Sequence, residues 1–295
     1  MNTSLYFIVN PFSGAGVVPR LERGIKHMCG EQKVDYEIAF TQAPQHATEL
    51  ARQAVAQGYS RIIAVGGDGT INEVARGLIH APAALGIIPK GSGNGLARHV
   101  GIPLKPELAL KNLFRSEPLP IDTFEINGRL SLNVSGIGFD GFVAAQFASR
   151  KKRGLSGYTQ LVLKGYQAFD EFEVAITSDG EQRQCKAFVI AIANSSQYGN
   201  NARIAPSASV CDGKFNIVIL RKIPLYRLDL VPAFFGGKIR HSKWWDSFEA
   251  REVRLTLPSP VAYHVDGEAA GTAHEFTISI NASSLNMLIP PGTQC

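Results

Sequence analysis

The first third of the chain alternates between short apolar runs and stretches with a helical period. Leu5 to Val9 and Ile62 to Val65 are unbroken apolar runs, which is the pattern of strands buried on both faces of a parallel sheet. Val34 to Phe40 and Ala84 to Pro89 are two further predicted strands. Because a helical stretch follows each run, the pattern predicts four β-α units and a doubly wound sheet.

The turn after the strand Ile62 to Val65 reads Gly66-Gly67-Asp68-Gly69-Thr70. From Thr70 onward apolar residues recur at helical spacing, and Thr70 with Glu73 predicts a capping box. Glycines between a strand and a helix expose N–H groups at the positive end of the helix and let an anion approach the main chain. The pattern therefore predicts a phosphate site, and a tight turn with a solvated Asp68 is the less favoured alternative.

Asp68 indicates what kind of phosphate ligand this turn would hold. The turn lacks the Lys-Ser/Thr ending of a P-loop and the spacing of a dinucleotide fingerprint. A carboxylate among phosphate-binding amides repels the ligand unless a divalent cation or a ribose hydroxyl lies between them. We therefore predict that the ligand is a Mg²⁺-nucleotide.

Two other glycine-rich turns follow predicted strands. In the first, Asn10 and Ser13 could contact a nucleotide. Asn-Pro and Ser-Gly are also routine turn sequences, so an ordinary turn is about equally well supported. In the second, Ser92 is a candidate hydroxyl donor to phosphate. Asn94 could cap the next helix or contact the nucleotide, and capping is the favoured interpretation. Thr41 is expected at the carboxyl end of a strand, which is the edge where open parallel sheets bind ligands.

From about residue 121 the pattern changes to short alternating segments. Asn127-Gly128 and Asp179-Gly180 are hairpin turn words, so hairpins replace β-α units and predict a mostly antiparallel second domain. We predict an α/β domain over residues 1–121 and a mostly antiparallel domain over residues 122–285. Residues 286–295 are expected to form a tail that could return to the first domain.

Composition places the chain among soluble globular enzymes. Of its 295 residues 45% are hydrophobic and 19% are charged, and no apolar run approaches membrane-spanning length. The protein is therefore expected in the cytoplasm. Four cysteines without C-x-x-C spacing argue against a zinc site and a disulfide framework, and they are expected to be reduced. A net charge of +5 without clustered basic and aromatic residues does not indicate a nucleic-acid partner.

Two segments of the second half bear on membrane contact. The run Arg150-Lys151-Lys152-Arg153 could meet anionic lipid headgroups, although a solvated helix end is the commoner explanation. Residues 234–245 interleave aromatic and basic side chains as an interfacial helix does, although core packing of most of these rings is the favoured interpretation.

Five motifs, in this order, give the chain a family resemblance: NPFSG, GGDGT, GSGNGLA, VCDGKF and HVDGE. The chain resembles the diacylglycerol kinase catalytic family, which includes bacterial lipid kinases and the sphingosine and ceramide kinases. The resemblance implies that residues 1–121 form an ATP-binding domain similar to the nucleotide domains of NAD kinases and phosphofructokinases. It implies that residues 122–285 form an antiparallel β-sandwich that holds the lipid substrate. It also implies ATP-dependent phosphorylation of a lipid hydroxyl in the cleft between the two domains.

The resemblance also implies site residues. Glu268 matches the general base, and Asp68 is expected to orient Mg²⁺ on the nucleotide. Ser209, Asp212 and Lys214 match a segment that binds a structural Mg²⁺ through water, with Lys214 contributing only its carbonyl. The implied ATP contacts are Asn10, Pro11, Phe12, Ser13, Gly14, Thr41, Gly66, Gly67, Asp68, Gly69, Thr70, Ile71, Asn72 and Ser92.

The predicted function is therefore that of an ATP- and Mg²⁺-dependent lipid kinase. Its acceptor would be diacylglycerol or a sphingoid or ceramide-like lipid, and the enzyme would associate peripherally with a membrane during turnover. A homodimer through sheet edges is left open. Two alternatives remain at this point: a kinase for a soluble acceptor, similar to NAD kinase, and a nucleotide-binding regulator without catalysis.

Overall fold

A computed structural model describes residues 4–14, 18–148, 162, 164–200, 202–224, 226–227 and 242–293. The chain forms two compact units. The first unit comprises Met1–Asp122 and Ala282–Cys295, and the second comprises Thr123–Asn281. The nucleotide and lipid roles given to the two halves of the sequence stay predictions.

The first unit is an α/β fold built on a parallel sheet. Its strands lie in the order β2-β1-β3-β4, and the end of a later strand, β16, pairs in parallel with β4. The chain adds β2 on one side of β1 and then β3 and β4 on the other, so the sheet is doubly wound as predicted. The elements are β1 (Leu5–Val9), α1 (Val18–Gln32), β2 (Tyr36–Phe40), α2 (His46–Ala56), β3 (Arg61–Gly66), α3 (Asp68–Leu78), β4 (Ala84–Pro89), α4 (Gly95–His99) and α5 (Pro106–Leu113).

Burial explains why the apolar runs form the centre of this sheet. Every residue of β1 and β4 is buried, and in β3 only Arg61 is partly exposed. The strand β2 is half-exposed, which fits its place at the edge. The prediction of strands covered on both faces is therefore confirmed for β1 and β3.

The second unit is mostly antiparallel. Its main strands lie in the order β14-β13-β10-β7-β15-β16, and β8 pairs both with β9 and with β15. The elements are β5 (Glu117–Ile126), β6 (Arg129–Ser131), β7 (Val134–Gly138), α6 (Phe139–Ala148), β8 (Phe172–Ser178), β9 (Glu181–Ala187), β10 (Val189–Ala193), β11 (Gln197–Gly199), β12 (Ala202–Arg203), β13 (Phe215–Leu220), β14 (Trp245–Ala250), β15 (Glu252–Val265) and β16 (Glu268–Ile289). Two of these strands cross the boundary between the units: residues 117–122 of β5 and residues 282–289 of β16 belong to the first unit.

Both hairpin turns predicted in this half are confirmed. Asn127 and Gly128 have φ of 50° and 72°, and they join β5 to β6 with Ile126 opposite Arg129. Asp179 and Gly180 have φ of 50° and 83° between β8 and β9. Two consecutive positive φ values are what a two-residue hairpin turn of this type requires, which is why Asn-Gly and Asp-Gly serve here.

The long strand β15 pairs with different neighbours along its length. Over Val253–Thr256 it pairs with β8, and over Tyr263–His264 it pairs with β7. A register shift separates these two stretches. One large apolar cluster, which includes Phe124, Phe215 and Phe276, fills the interior.

The predicted membrane-contact segments are only partly described. Arg150–Arg153 and residues 234–241 lie outside the described residues. Trp245 is buried in a core cluster, and Trp244 packs partly against it with Lys243 Nζ 4.7 Å from its ring centroid. Core packing is therefore confirmed for Trp245. In the part of the chain that the structure describes, no helix combines the length and the apolar character needed to cross a bilayer.

The cysteines depart from expectation at one position. Cys29 and Cys185 are free thiols, and burial raises the pKa of Cys29 to about 11. Cys211 is disulfide-bonded, so the prediction that all four cysteines are reduced is wrong for this residue.

Candidate functional site

The carboxyl ends of four parallel strands bring most of the predicted nucleotide residues to one edge of the first unit's sheet. Asn10 follows β1, Thr41 follows β2, Gly66 ends β3 and Lys90 follows β4. Backbone hydrogen bonds join these ends: Asn10 N donates to Val65 O at 3.0 Å, Thr41 N to Val9 O at 3.0 Å, and Lys90 N to Gly66 O at 2.7 Å. Such an edge is where doubly wound sheets bind ligands.

The GGDGT turn, Gly66–Thr70, differs from its predicted form. The helix α3 begins at Asp68 with Gly67 as its N-cap, so the predicted capping box of Thr70 and Glu73 is wrong. Thr70 Oγ1 instead accepts a hydrogen bond from Asn10 Nδ2 at 3.0 Å, and Glu73 Oε2 accepts one from Ala47 N at 3.3 Å. The side chains that would cap α3 therefore connect neighbouring segments.

The Asp68 carboxylate joins the GGDGT turn to the GSGNG turn, Gly91–Gly95. Its Oδ2 accepts a hydrogen bond from Asn94 N at 2.9 Å, and its Oδ1 accepts one from Gly95 N at 3.1 Å. Asp68 thus accepts hydrogen bonds from the N-cap residue and the first residue of α4, and the first N–H groups of a helix have no partner within the helix. A carboxylate among glycine amides is stabilised here by the protein itself.

Asn94 does not cap α4, so that prediction is wrong. It lies at the N-cap position with φ of 50° and makes no side-chain capping bond. Its Oδ1 accepts a hydrogen bond from Gly91 N at 3.0 Å, and its Nδ2 donates to Gly91 O at 2.7 Å. The amide side chain therefore fixes the conformation of the GSGNG turn.

Glycine allows the three turns at this edge to approach closely. The third of them is the NPFSG turn, Asn10–Gly14. A Cβ on Gly91 would lie 2.8 Å from Gly67 Cα, and a Cβ on Gly14 would lie 2.9 Å from Lys90 O. Gly14 also has φ of 66°, which favours glycine. The main chains of the three turns therefore approach each other closely at these two glycines.

The predicted contact residues differ in what they can offer a ligand. Phe12 is 84% exposed, its N–H donates to Asn10 Oδ1 at 2.9 Å, and Ser13 Oγ donates to Asn10 O at 2.9 Å. Ser92 is exposed. Ile71 is only 1% exposed in the core, so any contact of this residue with a ligand would have to come from its backbone. Thr41, Thr70 and Asn72 are buried.

In the second unit, Glu268 follows a tight hairpin turn between β15 and β16. Asp266 and Gly267 have φ of 49° and 87°, and Val265 pairs with Glu268. The Asp266 carboxylate accepts three hydrogen bonds, from Ser131 Oγ at 2.6 Å, Leu132 N at 2.9 Å and Asn133 N at 3.0 Å. The turn that presents the exposed Glu268 is therefore firmly anchored.

A buried histidine lies next to this turn. His264 is 4% exposed, and its Nδ1 accepts a hydrogen bond from Gly267 N at 3.1 Å. Its Nε2 lies 3.3 Å from Asp140 Oδ2, which also accepts a hydrogen bond from Tyr198 Oη at 2.9 Å. Because Nδ1 accepts a hydrogen bond and so carries no proton, Nε2 carries the proton and donates to Asp140.

The residues of the predicted structural Mg²⁺ site form local hydrogen bonds and an ion pair. Asp212 Oδ1 accepts a hydrogen bond from Lys214 N at 3.0 Å, and Ser209 Oγ accepts one from Cys211 N at 3.1 Å. The Lys214 ammonium lies 2.9 Å from Glu249 Oε2. Among the described residues no group of three or more His, Cys, Asp or Glu side chains could hold a metal ion. Mg²⁺ usually keeps several waters and binds through one or two carboxylates, so the water-mediated site around Asp212 stays a prediction.

A cavity of about 890 Å³ in the second unit contains none of the predicted site residues. Tyr166, Ile223 and Trp244 give it apolar walls, and the ion pair of Glu171 with Arg221 lies in its lining. Hydrogen bonding from Arg221 lowers the pKa of Glu171.

Comparison with known proteins assigns both halves of the chain. Residues 4–126 match the diacylglycerol kinase catalytic domain, and residues 133–289 match the YegS C-terminal NAD kinase beta sandwich-like domain. A Pseudomonas aeruginosa protein named "Probable lipid kinase YegS-like" is 31% identical over 84% of this chain and 82% of its own. The chain belongs to the diacylglycerol kinase catalytic-domain family. A second member of this lipid kinase family, the Bacillus subtilis diacylglycerol kinase, is 29% identical over 90% of this chain and 89% of its own.

Solved structures agree with the fold of this diacylglycerol kinase family member. A crystal structure of a Bacillus anthracis str. Sterne protein has a TM-score of 0.82 at 22% identity and covers 99% of this chain and 97% of its own. A diacylglycerol kinase crystal structure from the same strain has a TM-score of 0.75 at 21% identity, covering 99% and 98%. The predicted α/β and β-sandwich fold class is confirmed.

One residue at the glycine-turn edge of this kinase-family chain was missed by sequence reasoning. Lys90 is only 9% exposed, and burial lowers its pKa. The available signal was its position, because it is the first charged residue after the apolar run of β4 and directly precedes the GSGNG turn. Sequence reasoning weighed the glycines and hydroxyls of this turn and passed over its cation.

Proposed function

We propose that the protein is an ATP-dependent lipid kinase that transfers the γ-phosphate to a lipid hydroxyl. The observation that carries the proposal is the convergence of three glycine turns at the carboxyl edge of the first unit's sheet. Membership of a lipid kinase family supports the lipid as acceptor. The acceptor class is diacylglycerol or a sphingoid or ceramide-like lipid.

In this proposal the glycine turns bind the nucleotide phosphates. Amides near the start of α3 and the positive end of that eleven-residue helix favour an anion. Asp68 holds the GSGNG turn against the GGDGT turn through its two hydrogen bonds, which positions Ser92 on the exposed side. Mg²⁺ carried by the nucleotide would neutralise phosphate charge during transfer.

Glu268 is the proposed general base. Its carboxylate would take the proton from the acceptor hydroxyl as the new oxygen–phosphorus bond forms and the bond between the γ-phosphorus and its bridging oxygen breaks, leaving ADP. The anchored turn at Asp266 supports this role, since a base must be held at a fixed position.

We also propose that turnover takes place in the cytoplasm, at the membrane surface where the lipid acceptor resides. Binding of the protein to vesicles with and without anionic lipid, followed by sedimentation, measures this association.

The variant Glu268→Gln tests the chemistry. We expect turnover to fall by about 100-fold to 10,000-fold, which is the usual contribution of a positioned base, while ATP affinity stays within a factor of about two. Lipid phosphorylation with labelled ATP measures turnover, and calorimetry measures ATP affinity. Glu275→Gln, an exposed carboxylate on the same strand, is the matched control.

Near-normal turnover of Glu268→Gln would remove this residue from the mechanism. Phosphorylation of a nucleoside or dinucleotide panel, with every lipid refused, would show that the acceptor is soluble. ATP binding without transfer to any acceptor would indicate a regulator.

A further inference from the structure

Lys90 is a buried lysine at the edge where the three glycine turns meet. It directly follows β4 and is 9% exposed. Its Nζ is fully buried and has no hydrogen-bond partner among the described residues. None of the family motifs discussed above gives this residue a role.

A buried ammonium group without a hydrogen-bond partner is stabilised when an anion binds next to it. Buried lysines are rare unless they are paired, because loss of water disfavours the charged form. The same burial lowers the pKa of Lys90. The carboxylate of the adjoining turn, Asp68, is hydrogen-bonded to Asn94 N and Gly95 N. A ligand with negative charge would supply the missing partner.

The side chain of Lys90 lies along the NPFSG turn. A Cβ placed on Gly14 would be 3.6 Å from both Lys90 Cβ and Lys90 Cε. The aliphatic stem of Lys90 therefore lies against Gly14. This contact holds the ammonium within the group of turns proposed to bind the nucleotide.

We propose that the Lys90 ammonium binds the phosphate groups of the nucleotide. This inference rests on the proposed function, since it adds a residue to the same nucleotide site. Lysine is suited to phosphate as a compact positive charge with three donors. The motif residues offer amides and hydroxyls, and Lys90 adds a full charge that a phosphate chain can pair.

Calorimetry with three probes tests the proposal: ATP, inorganic pyrophosphate and adenosine. The variant Lys90→Met keeps the length and apolar stem of the side chain and removes the charge. Lys111→Met, at an exposed position on α5 of the same unit, is the control. We expect Lys90→Met to lower the affinity for ATP and for pyrophosphate by about 10-fold to 100-fold, which is the usual effect of losing a hydrogen bond to a charged group. Adenosine affinity should not change, and Lys111→Met should match the wild type.

The outcomes separate this inference from the lipid kinase proposal. Equal affinity of the wild type and Lys90→Met for ATP and pyrophosphate would overturn the role of Lys90. Failure of the wild type to bind either anion would overturn both proposals. If Lys90→Met lost affinity for ATP and pyrophosphate only, and the wild type phosphorylated no lipid, the anion site would be supported and the lipid kinase proposal would be rejected.

Thermal unfolding of the ligand-free protein provides a second measurement. Lys90→Met should unfold at the same temperature as the wild type or at a higher one, because it removes a buried charge without a partner. A lower unfolding temperature together with weaker adenosine binding would indicate that Lys90 acts through packing, and would overturn the proposal.

Discussion

Asp68 shows how a single carboxylate can determine the arrangement of two turns. Its oxygens accept the N–H groups of Asn94 and Gly95, so it holds together the GGDGT and GSGNG turns across 26 and 27 positions of sequence. From the sequence, Asp68 was expected to orient Mg²⁺ beside the phosphates. The structure gives it an additional positioning role at the same edge.

Gly66 is a second position where one atom decides the local structure. A Cβ there would lie 2.5 Å from both Cβ and Oγ1 of Thr70, whose hydroxyl also accepts the Asn10 hydrogen bond. The chain needs glycine at this position because the Thr70 side chain occupies the space, and φ plays no part in the requirement.

The substitution Gly66→Ala is predicted to lower the free energy of unfolding by about 1–3 kcal/mol, the usual cost of overpacking. It should also weaken ATP binding, since Thr70 and Asn10 must move. Urea unfolding and calorimetry measure the two effects.

The control for this prediction is Gly30→Ala. Gly30 lies within α1 with nothing within 4 Å of an added Cβ, so alanine there should stabilise the protein by about 1 kcal/mol. The account would be contradicted if both alanine variants were as stable as the wild type or more so.

At the scale of elements, sequence reasoning was most successful where one local rule decides the outcome. The apolar run Ile62–Val65 is long enough and flanked by turn residues, so it indicated a buried strand, and Asn-Gly and Asp-Gly indicated two hairpins. Sequence reasoning was wrong where a side chain could form either of two hydrogen bonds. Thr70 favours capping locally, but Asn10, which lies 60 positions away, is brought to it only by the folded chain. Asn94 bonds Gly91 within the same turn, which is a local alternative to capping.

The β15–β16 hairpin illustrates the same limit. Its Asp-Gly turn is a local signal, whereas the three hydrogen bonds that Asp266 accepts from residues 131–133 join segments more than 130 positions apart. No spacing rule in the sequence connects these residues. The hairpin was therefore predictable as a turn, and its anchoring was not.

The substitution Asp266→Ala is predicted to destabilise the protein by about 2 kcal/mol more than Asp179→Ala, because it leaves buried amides without an acceptor. Asp179 is the matched control, since it occupies the same position of another Asp-Gly hairpin at an exposed site. Turnover should also fall in Asp266→Ala as Glu268 loses its support. Equal unfolding free energies of the two variants would show that the Asp266 hydrogen bonds add nothing beyond the turn.

At the scale of the whole molecule, the order of the motifs carried most of the information. The change from β-α units to hairpins near residue 121 indicated two folds, and the structure shows an α/β unit and a mostly antiparallel unit. The predicted magnesium segment was transferred on its motif alone, and it stays a prediction. The structure adds that the Lys214 ammonium lies 2.9 Å from Glu249 Oε2, a contact that the motif does not record.

The most direct test of the central claim is the mass of the product formed from ATP labelled at the γ-phosphate and a fractionated lipid extract. The account predicts that a lipid alcohol gains one labelled phosphate and that Glu268→Gln forms far less of this product. Label that appears only in a soluble metabolite, or in no product while ATP still binds, would contradict it.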